Sequence, residues 1–138
     1  MRFVDTNVLL YAISTDPDEQ AKRAIAIGIL DGADIGFSVQ VFQEFYHQAT
    51  RRSRLGALPH DMAIEVVIGL LRHPTQEMTR AIMLDAFAIR QATGFSYWDS
   101  AILAAARALG CDTVLTEDLS HGQVVEGLRI VNPFLPAA

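Results

Sequence analysis

Residues 95–118 read FSYWDSAILAAARALGCDTVLTED, a stretch that contains a whole amphipathic helix, its stop signal and a short strand, with acids at both ends. Trp98, Ala101, Ile102, Ala105 and Leu109 recur at helical spacing and predict one apolar stripe. Ser96 stands where an N-cap belongs, with Asp99 in the first turn behind it. Gly110, free to take a positive φ, ends the helix. Thr113-Val114-Leu115-Thr116 is a β-branched, apolar run suited to a buried parallel strand, and Glu117 and Asp118 follow it directly. In open α/β sheets ligands collect outside the carboxyl ends of the strands. An acid opening a helix and an acid closing the next strand can therefore meet there.

The rest of the chain repeats this pattern. Arg2 to Asp5 reads as a short buried strand, and Thr6-Asn7 as the turn into a helix led by Val8-Leu9-Leu10, with Asn7 able to cap it. After the turn at Asp16-Pro17-Asp18, residues 18–31 form an amphipathic helix with Lys22 and Arg23 outward. Ile35 to Ser38 is a second strand. The helix behind it carries Phe42, Phe45, Tyr46 and Ala49 as its stripe, with Glu44 on the flank. Arg51, Arg52 and Arg54 crowd its end, where cations complement the helix dipole. Ala63 to Leu71 marks a fourth helix, and His73-Pro74-Thr75 a brief strand or connector. Residues 79–92 form a fifth helix through Ile82, Met83, Phe87 and Ala88, ended near Gly94. Leu128 to Val131 is the last strand, stopped by Asn132-Pro133. Short strands alternating with helices imply an α/β fold with a parallel sheet covered on both faces.

At 138 residues the chain fits one domain, 1–138, and its 51% hydrophobic and 20% charged residues exclude a disordered composition. Its one cysteine, Cys111, has no internal partner and reads as a small buried hydrophobe. RFVDTN reads as structure from the outset, so no signal peptide is expected; no apolar run is long enough for a membrane span, and a reducing cytoplasm is the expected compartment. The net charge of −5 means that any polyanionic substrate needs bound cations or a local basic patch.

Asp5, Glu44, Asp99 and Asp118 each lie at a terminus or flank that can face one end of the sheet. Taken singly, each has an ordinary explanation as a turn, capping or solvated acid. Together they would repel strongly without compensation, and Mg²⁺ or Mn²⁺ prefers such an oxygen-rich set. Two such ions about 3.5–4 Å apart can clamp an in-line phosphodiester displacement. Spacing alone does not establish that the acids converge.

MRFVDTNVLLYA, QEFYHQ, SYWDSAILAAA, CDTVLTEDLSHG and IVNPF, in that order, closely resemble a PIN domain of the VapC toxin type over essentially the whole chain. The resemblance implies a three-layer α/β/α, Rossmann-like fold around a central parallel sheet. It implies the toxin of a type II toxin–antitoxin system, a Mg²⁺- or Mn²⁺-dependent endoribonuclease. Its four acids match Asp5, Glu44, Asp99 and Asp118, with Asp118 preferred over the adjoining Glu117 because strand alternation points the two apart. Thr6, Asn7 and Thr116 fall where polar residues assist such a site. Arg51, Arg52 and Arg54 form the best patch for an RNA backbone, although a solvated helix end explains them equally. The resemblance also implies a homodimer and a cognate VapB-like antitoxin.

Three other readings compete. A phosphoacceptor receiver would need a lysine at the end of a late strand, and the only lysine, Lys22, lies in an early helix. A catalytically silent PIN fold serving as an interaction module would have lost one or two acids, and all four are present. A DNA-cutting relative usually carries an arch or extension for which this chain has little room. His47, His60 and His73 lack ligand spacing, and His121 reads as an exposed turn residue. Tyr11, Phe45, Tyr46 and Trp98 read as core or interface aromatics rather than base-stacking platforms.

Overall fold

Six short strands align by the burial of their apolar residues. They are β1 (Arg2–Val4), β2 (Ile35–Ser38), β3 (Thr75–Gln76), β4 (Thr113–Leu115), β5 (Val124–Val125) and β6 (Leu128–Val131). The sheet order is β3-β2-β1-β4-β6-β5, parallel throughout except for β5 against β6. Residues 1–136 are described by this computed structural model; Ala137 and Ala138, the end of the expected 1–138 unit, lie outside the described residues. From β1 the chain builds outward through β2 and β3, then returns to place β4 on the other side of β1. The order therefore reverses between β1 and β4, which makes their carboxyl ends the crevice where ligands bind in such sheets. Register completes the alignment: Val4 pairs with Leu115, so Asp5 and Thr116 emerge level with each other.

Helices α1 (Thr6–Ala12), α2 (Gln20–Leu30), α3 (Val39–Ala49), α4 (His60–Leu70), α5 (Arg80–Thr93) and α6 (Tyr97–Ala108) flank the sheet in a three-layer α/β/α arrangement. α1 packs on α2 and α3, and α3 on α4; α5 pairs with α6, which runs across β2, β3, β4 and β6. The core joins Phe3, Val4, Ile35, Phe37 and Val114 of the strands to Leu9, Phe45, Ile89 and Leu103 of the helices. No helix among the described residues is long and apolar enough to cross a membrane.

The start and stop signals of α6 act as expected. Ser96 accepts from the Asp99 N–H. Gly110, at φ +82°, lets its own N–H reach the Arg107 carbonyl and the Cys111 N–H reach that of Ala106. This paired closure satisfies two terminal carbonyls and buries Cys111 behind the helix.

Three expectations are corrected. Trp98 is not part of the buried stripe: its side chain is 63% exposed, whereas every residue from Ser100 to Ala106 is buried. Beyond its first turn α6 lies between α5 and the sheet, so burial goes all round and a stripe rule no longer applies. On α5 the buried row is Ile82, Ala86 and Ile89, leaving Met83, Phe87 and Ala88 outward. Finally, β5 forms a hairpin with β6 that the strand reading missed. Its two-residue loop, Glu126-Gly127, has positive φ at both positions (51° and 82°), the turn that matches strand twist.

Leu103 is fully buried, whereas a Cβ added at Gly110 would meet nothing within 4 Å, so its replacement costs backbone strain alone. Leu103→Ala should lower unfolding free energy by about 2–5 kcal/mol and Gly110→Ala by about 1–2 kcal/mol, measured by urea denaturation.

Candidate carboxylate site

Asp5 leaves the sheet at the end of β1 and caps α1, its Oδ1 accepting the Thr6 N–H at 2.7 Å. Asn7 was expected in that capping role, but the helix starts at Thr6 and Asn7 lies inside its first turn. Asp5 Oδ2 accepts from the Thr116 hydroxyl at 2.8 Å. The Thr116 oxygen in turn accepts from Asn7 Nδ2 and from the Asp118 N–H, each at 3.1 Å. Asn7 therefore bridges to the segment after β4: its Nδ2 also donates to Asp118 at 3.1 Å, and its Oδ1 accepts the Glu117 N–H at 3.2 Å.

Glu44 joins from α3. Its Oε2 accepts from the Thr6 hydroxyl at 2.8 Å and its Oε1 from Gln40 Nε2 at 3.0 Å. The same Gln40 Nε2 donates to the Trp98 carbonyl at 3.1 Å, linking α3 to the first turn of α6 one residue before Asp99. Both acceptors lack protons to donate, so the amide can face them only with its nitrogen. Sequence reasoning passed over Gln40. Its one signal was a place one helical turn before Glu44.

Electrostatics places the four acids in one neighbourhood. Burial raises the Asp5 carboxyl to about 6; the Thr116 and Thr6 bonds oppose this, and the charges of Glu44 and Asp118 add to it. Asp99 is also raised, first by burial, against the Ser96 contact, and then by Asp118 and Glu44. Asp5 and Asp99 therefore each feel Glu44 and Asp118, and no cation is among the influences on either. Among the described residues no three His, Cys, Asp or Glu groups already stand at ion-holding range. The donor set nevertheless fits a hard divalent cation, which carboxylate oxygens bind and which would neutralise this accumulated charge.

Glu117 and Asp118 part company. Glu117 pairs with Lys22 Nζ at 2.6 Å and accepts a short bond from the Tyr11 hydroxyl. Burial pushes its carboxyl up, but Lys22 and then Tyr11 outweigh that and hold it below the usual value. Lys22 is thus not simply outward: it lies over the Tyr11 ring, 4.8 Å from its centroid, and reaches the loop after β4. It remains a residue of α2 rather than of a strand end, and its charge is taken up by Glu117.

Of the three arginines, Arg54 alone is brought to the acids. It donates to the Leu10 carbonyl at 3.3 Å and lines a cavity of about 250 Å³ with Asn7, Tyr11, Glu117 and Asp118. Arg51 and Arg52 stay exposed beyond the end of α3. His60 Nδ1 meets the Tyr46 hydroxyl and His121 Nδ1 accepts from the Asn132 N–H, both away from the acids.

A family model described as the PIN domain matches residues 2–126. The chain belongs to the PIN domain family. No curated protein matches the sequence significantly. Solved structures share the PIN fold at low identity. A toxin–antitoxin complex from Klebsiella pneumoniae is 18% identical, covering 96% of this chain and 98% of that one at a TM-score of 0.69. VapC20 of Mycobacterium tuberculosis, a Sarcin-Ricin loop cleaving toxin, is 17% identical over 86% and 90% of the two chains, with a TM-score of 0.65. DNA-bound VapBC from Salmonella typhimurium is 21% identical over 94% and 95%, with a TM-score of 0.62.

Because Asp5 is raised when folded, its stability contribution is full below the unfolded value of 3.8 and lost as pH rises through about 6. In chelator, Asp5→Asn should therefore gain on the wild type between pH 4 and pH 7 by on the order of 3 kcal/mol in denaturant unfolding. A difference between the two proteins that does not change with pH would contradict this electrostatic account. Glu44→Gln removes a like charge and should lower the Asp5 value in a carboxyl NMR titration.

Proposed function

We propose that this PIN domain is a VapC-type toxin, an endoribonuclease that uses Mg²⁺, or Mn²⁺ in its place, to hydrolyse RNA phosphodiester bonds. The observation that carries the reading is the gathering of Asp5, Glu44, Asp99 and Asp118 from four elements. They lie toward the crevice between β1 and β4, where the charges of Glu44 and Asp118 act on both Asp5 and Asp99. The likeness to toxin–antitoxin complexes and to an RNA-cleaving toxin supports it. The unit proposed to act is the whole of residues 1–138.

Asp5, Glu44, Asp99 and Asp118 would hold the ion, which when bound supplies Lewis-acid activation of water and of the scissile phosphate. The chain's own residues keep the ligands in place. Thr6 holds Glu44, Thr116 holds Asp5, and Asn7 holds Asp118, so these three carboxylates lose rotational freedom before any ligand arrives. Glu117, neutralised by Lys22, stays out of the set. Arg54, in the cavity wall beside Asp118, is placed to meet an adjoining phosphate; Arg51 and Arg52 would add weaker attraction from farther out.

A cognate antitoxin of the VapB kind and a second copy of the chain are the proposed partners, in the cytoplasm. The apolar groove of about 350 Å³ between α3 and α4, lined by Phe42, Tyr46, Val67, Ile68 and Leu71, is a suitable seat for an antitoxin segment. Ile68 is 62% exposed there, and Ile68→Asp should weaken the toxin–antitoxin complex by tenfold or more while sparing RNA cleavage, read by calorimetry and gel.

The deciding experiment is cleavage of total RNA by antitoxin-free protein with Mg²⁺, with Mn²⁺ and with chelator. Discrete products should vanish with chelator, and Asp99→Asn and Asp118→Asn should each slow cutting by on the order of 100-fold or more. Glu117→Gln should leave cutting within a few-fold of the wild type. Intact RNA under every condition would move the reading to a silent interaction module, and products from DNA alone to a DNA nuclease.

A further inference from the structure

Trp98 was expected in the core and is instead the most exposed aromatic side chain of the protein, 63% accessible, on the residue directly before Asp99. It stands edge-to-face against Tyr97, with ring centroids 5.0 Å apart, and Tyr97 in turn packs near Phe87 at 5.5 Å. A cavity of about 450 Å³ opens between these rings and α3, lined by Gln40, Gln43, Arg80, Met83, Tyr97 and Trp98. That size lies within the range of about 300–1,000 Å³ typical of small-ligand clefts.

The backbone of Trp98 is not free to drift, because its carbonyl accepts from the buried Gln40 that also grips Glu44. Gln40 is 5% exposed and its Oε1 has no hydrogen-bond partner. An acceptor buried without a partner carries a penalty that an N–H donor would remove. The wall therefore combines an aromatic face, a cation at Arg80 and the thioether of Met83, and it is tied to the acids through Gln40, which bonds Glu44, and through Trp98, which precedes Asp99.

Resting on the ribonuclease reading above, we propose that this cavity is a nucleobase subsite. In it a base next to the scissile phosphate leaves its stack and lies against the Trp98 indole. Every base has a π face, so stacking there is tolerant of sequence, and Arg80, in the wall of the same cavity, would meet the neighbouring phosphate. The subsite would also explain how a chain of net charge −5 holds RNA with few cations near its acids: part of the grip is apolar.

Trp98 is the chain's one tryptophan, so its emission reports on this site alone. The test mixes wild-type protein and Mg²⁺ with a mixed-sequence single-stranded RNA, reading fluorescence within the first turnover. The same RNA with abasic positions serves as control. Quenching by the intact RNA and none by the abasic one is expected. Trp98→Ala should raise KM by roughly tenfold with kcat little changed, and Trp98→Tyr should restore most of it. Unchanged emission with RNA that is being cut would overturn the subsite while leaving the nuclease standing. RNA neither cut nor bound would overturn both. Emission that shifts on diluting the protein but ignores RNA would assign the face to contacts between copies, which also overturns the proposal.

Discussion

The Thr116 hydroxyl is the small group on which the site depends. It is fully buried and uses its whole capacity: it donates to Asp5 and accepts from Asn7 and from the Asp118 N–H. Its position follows from strand register, since Val4 opposite Leu115 brings the next residue of each strand to the same level. The carboxylates at the ends of β1 and of β4 are thus joined through one oxygen, and Asn7 adds a second link from α1 to the same loop. Without the hydroxyl, Asp5 would lose the strongest influence holding its carboxyl down against burial, and the segment carrying Asp118 would lose an anchor.

An arrangement of this kind opposes the stability of the fold. Asp5 is buried near other acids, and Asp99 is raised first by burial and then by the same neighbours, Asp118 and Glu44. Proteins sustain such strain at functional sites when the surrounding core is stable enough to hold it. Here the core is the column of Phe3, Phe37 and Val114 with α6, whose buried alanines bring the helix close to the sheet and α5. That helix also presents Asp99 on its exposed first turn. One element is therefore packed tightly along its length and held open at its tip.

Much of this was legible in the sequence, and the exceptions share a cause. Strand and helix order followed from short apolar runs, from the Ser96 cap and from Gly110, because these are local signals read by neighbouring residues. The places of Asp5, Asp99 and Asp118 at element ends and of Glu44 inside α3 were legible for the same reason. What failed were readings that depend on the second neighbour of an element. Trp98 and Phe87 sit at periodic positions, but whether a periodic residue is covered depends on what packs there, and beyond Tyr97 little covers them, so both stay half exposed or more. Lys22 reads as a solvent residue of α2 until Glu117 comes to it from 95 positions away. Gln40 has no motif at all; its role exists only because Glu44 and the Trp98 carbonyl lie on either side of one amide. The β5–β6 hairpin is the exception to this pattern, since Val124-Val125 before Glu126-Gly127 and the alternating Leu128-Arg129-Ile130 after it were a local signal that went unread.

The adjoining acids Glu117 and Asp118 show how the fold assigns different tasks to similar side chains. Both carry a carboxylate, and their backbone N–H groups are held by Asn7 and Thr116 respectively. Alternation past the end of β4 sends them opposite ways. Glu117 turns to a cation and a phenol that hold its charge, becoming a strut between α1, α2 and the loop. Asp118 is left with a single amide donor, Asn7, and an open side facing the other acids. A carboxylate already satisfied by Lys22 has little to gain from a second cation, whereas one surrounded by like charge has much. The pairing of Lys22 with Glu117 therefore does more than fasten a loop. By satisfying Glu117, it leaves Asp118 as the member of the pair without an ion-pair partner among the described residues.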